Sequence, residues 1–240
     1  TGSGKSTTLT ASLSRLNTPG VNISTIEDPV EYKIEGVTQV QVNRKKDLTF
    51  ANALRSFLRQ DPDIVMVGEI RDEETAQMAM RAALTGHVVF STLHTNSAAG
   101  AVSRMLDMGA EPYLLAAALR GIVAQRLVRK LCTYCKRAFK PTDNERTMFR
   151  KHLGTDEVEQ IYAPVGCSRC RNTGYKGRLG VFELFVVDEE LRDAITRRVT
   201  EGELFMLARE KGMITFFEDG LLKVVDGLTS LEELLKHQEH

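Results

Sequence analysis

Net charge of either sign is missing from this chain, whose 240 residues set 32 Lys plus Arg against 32 Asp plus Glu. A balanced chain has no global field for capturing nucleic acid or an anionic membrane, so any such binding falls to local basic stretches. Long apolar runs are missing too. Nothing approaches the roughly 20 residues that a membrane-spanning helix needs, and the opening residues are small and polar rather than basic and then apolar, unlike a signal peptide. The sequence therefore predicts a soluble chain. It has no internal repeat or low-complexity tract, and His237 with His240 is too sparse for a tag. At 42% hydrophobic and 27% charged residues, the composition is that of an ordinary soluble protein and the length suffices for one α/β core with an appendage or two small domains. Intrinsic disorder and a disulfide-dependent miniprotein are both excluded.

Thr1-Gly2-Ser3-Gly4-Lys5-Ser6-Thr7 matches the end of G-x-x-x-x-G-K-[ST], the phosphate loop of nucleoside triphosphatases. The glycines let backbone N–H groups turn inward around phosphate, Lys5 brings a point charge to the outer phosphates, and the Ser6 hydroxyl suits Mg²⁺. A helical pattern follows through Leu9, Leu13 and Leu16 and ends near Pro19-Gly20, so its N-terminal dipole faces the anion. The first glycine of the motif and the strand that normally precedes it are not in the sequence, which reads as a fragment of a longer protein.

Two acidic strand exits follow. Val21 to Ile26 predicts a short strand that runs into Glu27-Asp28-Pro29-Val30-Glu31, with Pro29 holding the turn extended. Taken alone this is a solvated acidic turn; beside a phosphate loop it can supply the carboxylate that activates water. Asp63-Ile64-Val65-Met66-Val67-Gly68-Glu69 has the apolar run of a parallel strand covered on both faces, with a carboxylate at its exit. Gly68 stands where many P-loop enzymes carry the metal-organising aspartate, so Glu69 must serve; Asp61 and Asp63 read as helix–strand connection. After Ile70-Arg71-Asp72-Glu73-Glu74, a helix-like stretch with Ala76, Ala79, Met80, Ala83 and Leu84 closes at Thr85-Gly86, and the strand Val88-Val89-Phe90 empties into Ser91-Thr92-Leu93-His94-Thr95-Asn96. Strand exits in such sheets are ligand sites. His94 reads there as a γ-phosphate sensor, and His87, before the strand, as structural.

Alternating strands and helices predict an α/β doubly wound sheet. The set of Thr1 to Thr7, Thr25-Ile26-Glu27-Asp28-Pro29-Val30-Glu31, Leu58 to Asp63, Glu69-Ile70-Arg71-Asp72 and Thr85-Gly86-His87 through His94-Thr95-Asn96 resembles the type II secretion and type IV pilus assembly ATPases over essentially the whole chain. The resemblance implies a RecA-like P-loop fold, ATP and Mg²⁺ as ligands, and a cytoplasmic homohexameric motor. Such a motor is peripheral to the inner membrane through a platform protein, without obligate nucleic acid. It implies Glu31 as general base with Glu27 and Asp28 shaping its loop, and Arg104 and Arg178 acting across a subunit boundary, with Arg55 and Arg59 as competitors.

Cys132-x-x-Cys135 and Cys167-x-x-Cys170 each have the knuckle spacing that presents two thiolates to one tetrahedral metal. Four thiolates favour structural Zn²⁺; iron–sulfur ligation lacks supporting context, and a cytosolic compartment disfavours disulfides. The resembled assembly and secretion ATPases carry a similar tetracysteine subdomain, whereas retraction ATPases generally lack one. Leu115 to Leu131, with Arg120, Arg126, Arg129 and Lys130, predicts a basic helix with a core face and a solvated face. Val181 to Phe185 reads as a strand. Asp188 is an N-cap, and Ser230 with Glu233 a capping box, for C-terminal docking helices. The expected division is a P-loop core over 1–130, a tetracysteine subdomain over 131–180, and a C-terminal strand and helical docking region over 181–240. A zinc-containing nucleic-acid-binding P-loop protein and a catalytically silent scaffold are the alternatives.

Overall fold

The computed structural model describes residues 2–155 and 157–237; Thr1, expected in the phosphate loop, and His240 lie outside them. Two compact units emerge. One comprises Lys5–Ile122 and Phe185–Gly212, and the other, which also takes in the segment before Lys5, is built on Val123–Leu184 and the chain from Met213 onward.

In the first unit, α1 (Lys5–Leu16) begins directly after Gly4, and β1 (Ile23–Glu27), β2 (Thr38–Gln41), α2 (Phe50–Phe57), β3 (Ile64–Val67), α3 (Glu73–Leu84), β4 (Val88–Ser91), α4 (Ala98–Asp107) and α5 (Pro112–Ala118) follow. The strands form one parallel sheet in the order β2-β1-β3-β4, with Thr25 level with Met66 and Met66 level with Phe90. Parallel pairing matters because it puts the exits after Glu27, Val67 and Ser91 on one edge. All four residues of β3 are buried, so both faces of the sheet are covered, as an unbroken apolar run demands. On one face Leu13 and Leu9 of α1 pack with Ile23, Ile64, Met66 and Phe90. Asp72 caps α3 by accepting the Thr75 N–H at 2.8 Å, and Ser97 caps α4 through Gly100. The helices α2 and α4 and the edge strand β2 add to the elements predicted from sequence.

The basic helix expected over Leu115 to Leu131 is not formed. Instead α5 ends at Ala118 and β5 (Gly121–Leu131) begins. The β-branched Ile122, Val123 and Val128 suit a strand, and two of the arginines have distant partners. Arg126 donates to the His237 carbonyl at 2.8 Å and lies 4.8 Å from the Phe216 ring centroid. Arg129 pairs with Glu233 and lies 4.1 Å from the Tyr175 centroid. Tertiary contacts have thus taken up residues that a helical wheel assigns to solvent, and the helical basic face that a nucleic-acid reading needs is not there.

The second unit continues from β5 through β6 (Arg137–Phe139), α6 (Asp143–Leu153), β7 (Ile161–Ala163) and β8 (Tyr175–Val186), with β6 antiparallel to β7 and β5 beside β8. The chain then returns to the first unit for α7 (Glu189–Thr196) and α8 (Glu201–Glu210), and ends in the second with α9 (Phe216–Val225) and α10 (Leu231–Leu235). Phe149, Ile161, Leu221, Val224 and Leu234 form the core of the second unit. Asp188 caps α7 as expected, accepting the Leu191 N–H at 2.9 Å. The Ser230 capping box is only half made: Ser230 Oγ accepts the Glu233 N–H at 3.1 Å, but the Glu233 carboxylate goes to Arg129. Among the described residues no helix is long and apolar enough to cross a membrane.

Candidate functional site

The site starts at the exit of β3. Gly68 donates its N–H to the Ile26 carbonyl at 2.8 Å, and a Cβ at Gly68 would meet that oxygen at 3.2 Å and the Glu27 Cα at 3.3 Å. An aspartate would press on the β1 backbone there, which leaves Glu69 as the first carboxylate after the strand. The Glu69 side chain is 10% exposed, and its Oε2 lies 2.5 Å from Arg71 Nε and 3.4 Å from His94 Nε2. Three bonds splice the exits of β3 and β4. Ser91 Oγ donates to the Val67 carbonyl at 2.8 Å, Thr92 Oγ1 to Gly68 at 2.7 Å, and the Ile70 N–H to Thr92 at 3.0 Å. Glu69 and His94 are therefore held together by the sheet itself.

Lys5, the first residue of α1, donates from Nζ to the Leu93 carbonyl at 3.0 Å. Partial burial holds its ammonium below the usual lysine range, while the charge of Glu69 acts in the opposite direction. An ammonium partly stripped of water gains more from an arriving anion than a fully solvated one. Gly2 and Gly4 adopt φ of 82° and 88°, a left-handed backbone open to glycine at little cost. Ser6 and Thr7 are exposed on the first turn of α1.

The loop after β1 is braced by glutamines of β2. Glu27 Oε1 accepts from Thr25 Oγ1 at 2.6 Å and from Gln39 Nε2 at 3.0 Å; Gln39 also donates to the Tyr32 carbonyl at 2.9 Å and accepts the Ile34 N–H at 2.7 Å. Asp28 makes a 3.8 Å ion pair with Arg44, and the Asp28–Pro29 peptide is cis. Glu31 is exposed in this braced loop and, among the described residues, shares no hydrogen bond or ion pair with Lys5, Glu69 or His94.

Arg104 on α4 and Arg178 on β8 are exposed, and neither guanidinium has a partner among the described residues. Arg55 is engaged by Glu74 at 2.9 Å and Asn52 at 2.8 Å, whereas Arg59 is exposed. His87 is tied by Nδ1 to Thr85 Oγ1 and the Ala82 carbonyl, and Asp63 accepts the Asn22 N–H at 2.7 Å.

In the second unit the Sγ atoms of Cys132, Cys135, Cys167 and Cys170 all lie within 4.8 Å of one another. Closest pairs stand at 3.9 Å (Cys132–Cys167) and 3.8 Å (Cys135–Cys170 and Cys167–Cys170). A tetrahedral ion with metal–sulfur bonds of about 2.3 Å spaces its thiolates by about 3.8 Å, whereas a disulfide needs about 2.05 Å. All four thiols are free, so this geometry fits a tetrathiolate metal centre. The backbone helps: Gly166 N–H points at Cys135 Sγ at 3.3 Å, and the Cys167 and Gly174 N–H groups at Cys170 Sγ, both at 3.2 Å. Burial pushes the Cys135 thiol up to about 11. For Cys170 burial acts in the same direction, but the two N–H donors and the neighbouring thiols outweigh it and bring it down to about 6.

The sequence profile of the "Type II/IV secretion system protein" family matches residues 1–236. This chain belongs to that family. Among relatives of the secretion-system family, it is 54% identical over 237 residues to the type IV pilus assembly ATPase PilB of Thermus thermophilus, covering 98% of this chain and 26% of that protein. It is likewise 54% identical over 236 residues to the putative type II secretion system protein E of Escherichia coli K12, covering 98% of this chain and 47% of the relative. The chain thus spans from about a quarter to about half of the curated relatives it matches. Of solved folds, the crystal structure of the pilus retraction motor PilT with bound ADP is similar at 30% identity and TM-score 0.69, covering 98% of this chain and 58% of that one.

One residue at this strand exit was given no role in the sequence reading. Arg71 lies in the run Glu69-Ile70-Arg71-Asp72, which carried the resemblance as a whole, and its position two residues after a strand-exit carboxylate was the signal that could have singled it out.

Proposed function

We propose that this chain is the motor portion of an ATPase that drives type IV pilus assembly or type II secretion, coupling ATP hydrolysis to displacement of an inner-membrane platform protein. The observation that carries this reading is the convergence of Lys5, Glu69 and His94 where β3 and β4 leave the sheet. Phosphates bind over the first turn of α1, cradled by backbone N–H groups of the segment Gly2, Ser3, Gly4, Lys5, Ser6 and Thr7, and Lys5 exchanges the Leu93 carbonyl for a phosphate oxygen. Bound near the Ser6 hydroxyl and Glu69, an oxygen-only donor set that fits it, Mg²⁺ supplies charge neutralisation at the outer phosphates. Glu31 takes the proton of the attacking water, on a loop that Glu27, Asp28 and the β2 glutamines shape. His94 exchanges Glu69 for the γ-phosphate and so reports its presence.

Arg104 and Arg178 complete the site of a neighbouring subunit in a homohexamer; both are exposed, with no guanidinium partner among the described residues, which supports that role. The four cysteines hold one structural Zn²⁺, supported by sulfur spacings that match a tetrahedral ion. The closer identity to pilus-assembly and secretion relatives than to the retraction motor favours extension or export. Membrane association runs through the platform partner, on the cytoplasmic side.

Glu31→Gln and Glu69→Gln test the chemistry. Both should abolish ATP turnover, but Glu31→Gln should keep Mg-nucleotide binding while Glu69→Gln alters its Mg²⁺ dependence. Near-normal turnover in Glu31→Gln removes it from the base role. No turnover at all by the wild-type ring favours a silent scaffold, and a salt-sensitive complex with DNA or RNA favours a nucleic-acid-binding protein.

A further inference from the structure

We infer that Arg71 is a positioning residue that competes with a divalent cation for Glu69, so that the carboxylate accepts a metal only together with nucleotide phosphates. The inference rests on the reading of Glu69 as the metal-organising carboxylate. Arg71 Nε and His94 Nε2 both address one oxygen of Glu69, at 2.5 Å and 3.4 Å. The pairing is imposed by the backbone: Ile70, between the two, is pinned through its N–H to the Thr92 carbonyl at 3.0 Å, which brings the side chains of residues 69 and 71 to the same side.

The two partners differ in freedom. The Glu69 side chain is 10% exposed and Arg71 56%, so the carboxylate is fixed by the fold while the guanidinium sits on an arm that can move into solvent. Lys5 also lies in the field of Glu69. One carboxylate therefore serves two permanent cations and a histidine. A bare divalent ion arriving at Glu69 is repelled by Arg71 and Lys5 together, and the local negative charge is too small to hold it. Phosphates change the balance, because they add negative charge that Lys5 and Arg71 can turn to. Arg71 then leaves Glu69 to the metal, and loss of the phosphates returns it, which helps expel the ion with the product.

The test is Mg²⁺ titration of the binding of a fluorescent ADP analogue to the protein, a readout independent of turnover. Removing the guanidinium with Arg71→Gln should lower the half-saturating Mg²⁺ by about three- to tenfold, the scale of one partly screened charge. Arg71→Lys, which keeps the charge, should stay near wild type, and Arg71→Gln in a Glu69→Gln background should give no shift. A folded Arg71→Gln protein with an unchanged or raised Mg²⁺ requirement would overturn the inference, as would the same shift without Glu69. If the wild type binds nucleotide with a normal Mg²⁺ dependence and Arg71→Gln matches it, this inference alone fails. Absence of Mg²⁺-dependent nucleotide binding in the wild type overturns it together with the reading beneath it.

Discussion

Glu233→Ala should destabilise the unit that carries the cysteines by about 2–4 kcal/mol at neutral pH, a figure that follows from what the carboxylate holds. Glu233 is 4% exposed. Its Oε1 accepts the Arg129 N–H at 3.0 Å, and its Oε2 accepts Arg129 Nε at 2.9 Å and Nη2 at 2.5 Å. Truncation orphans a strand N–H, which costs about 1–3 kcal/mol. The Arg129 side chain is 45% exposed, so its charge rehydrates, and the loss stays below the upper end of the about 3–5 kcal/mol for breaking a fully buried pair. Glu233→Gln keeps an acceptor for the N–H and should lose less. The pH dependence supplies a second check. Burial alone would raise the Glu233 carboxyl, but the hydrogen bonds and charge of Arg129 outweigh it and hold the group below the usual carboxylate range. A lowered folded value means that the stabilisation is fully present above the unfolded value of about 4.3 and fades as the pH falls through the folded one. The gap between wild type and Glu233→Ala should therefore narrow in acid, toward the part that the N–H acceptor alone contributes. Denaturant unfolding with hydrogen exchange at the Arg129 amide measures both effects; a loss under about 0.5 kcal/mol at pH 7, or a gap that does not narrow in acid, refutes the reasoning.

Elemental analysis of purified protein should find one zinc per chain, and Cys132→Ser or Cys167→Ser should lose the metal and destabilise its unit; finding neither zinc nor iron would sink the metal centre. Mixing Arg104→Ala or Arg178→Ala chains with Glu31→Gln chains should restore turnover, since an arginine supplied in trans is worth roughly 10³–10⁵ in rate and the two defects can fall at different interfaces. Full turnover by a demonstrably monomeric protein rules that arrangement out.

What could be read from the sequence follows the range of the interaction that decides each residue. The strand β3 was legible because a parallel strand buried on both faces needs four apolar residues in a row, a demand satisfied locally. The placement of Glu69 was legible because it lies just past the end of that strand, after Gly68, and the clustering of the cysteines because a knuckle is a local spacing that needs only its twin. The stretch after Leu115 was misread because leucines and arginines at three- and four-residue intervals fit a helix as well as an edge-exposed strand. The choice was made by Glu233, Phe216 and His237, roughly a hundred residues away. The same remoteness undid the capping box at Ser230: its geometry is local and half of it forms, but a carboxylate offered a guanidinium takes the stronger partner and leaves the other half unmade. β2 escaped because Thr38-Gln39-Val40-Gln41 has no apolar run; its glutamines face the loop carrying Glu31 and matter through the bonds they make there. Arg71 belongs with these, since nothing in an acidic turn distinguishes a solvated arginine from one that a strand-exit splice has turned onto Glu69. Local pattern thus locates the groups that bring charge to the site, while long-range hydrogen bonds and ion pairs decide which of those charges are already spoken for.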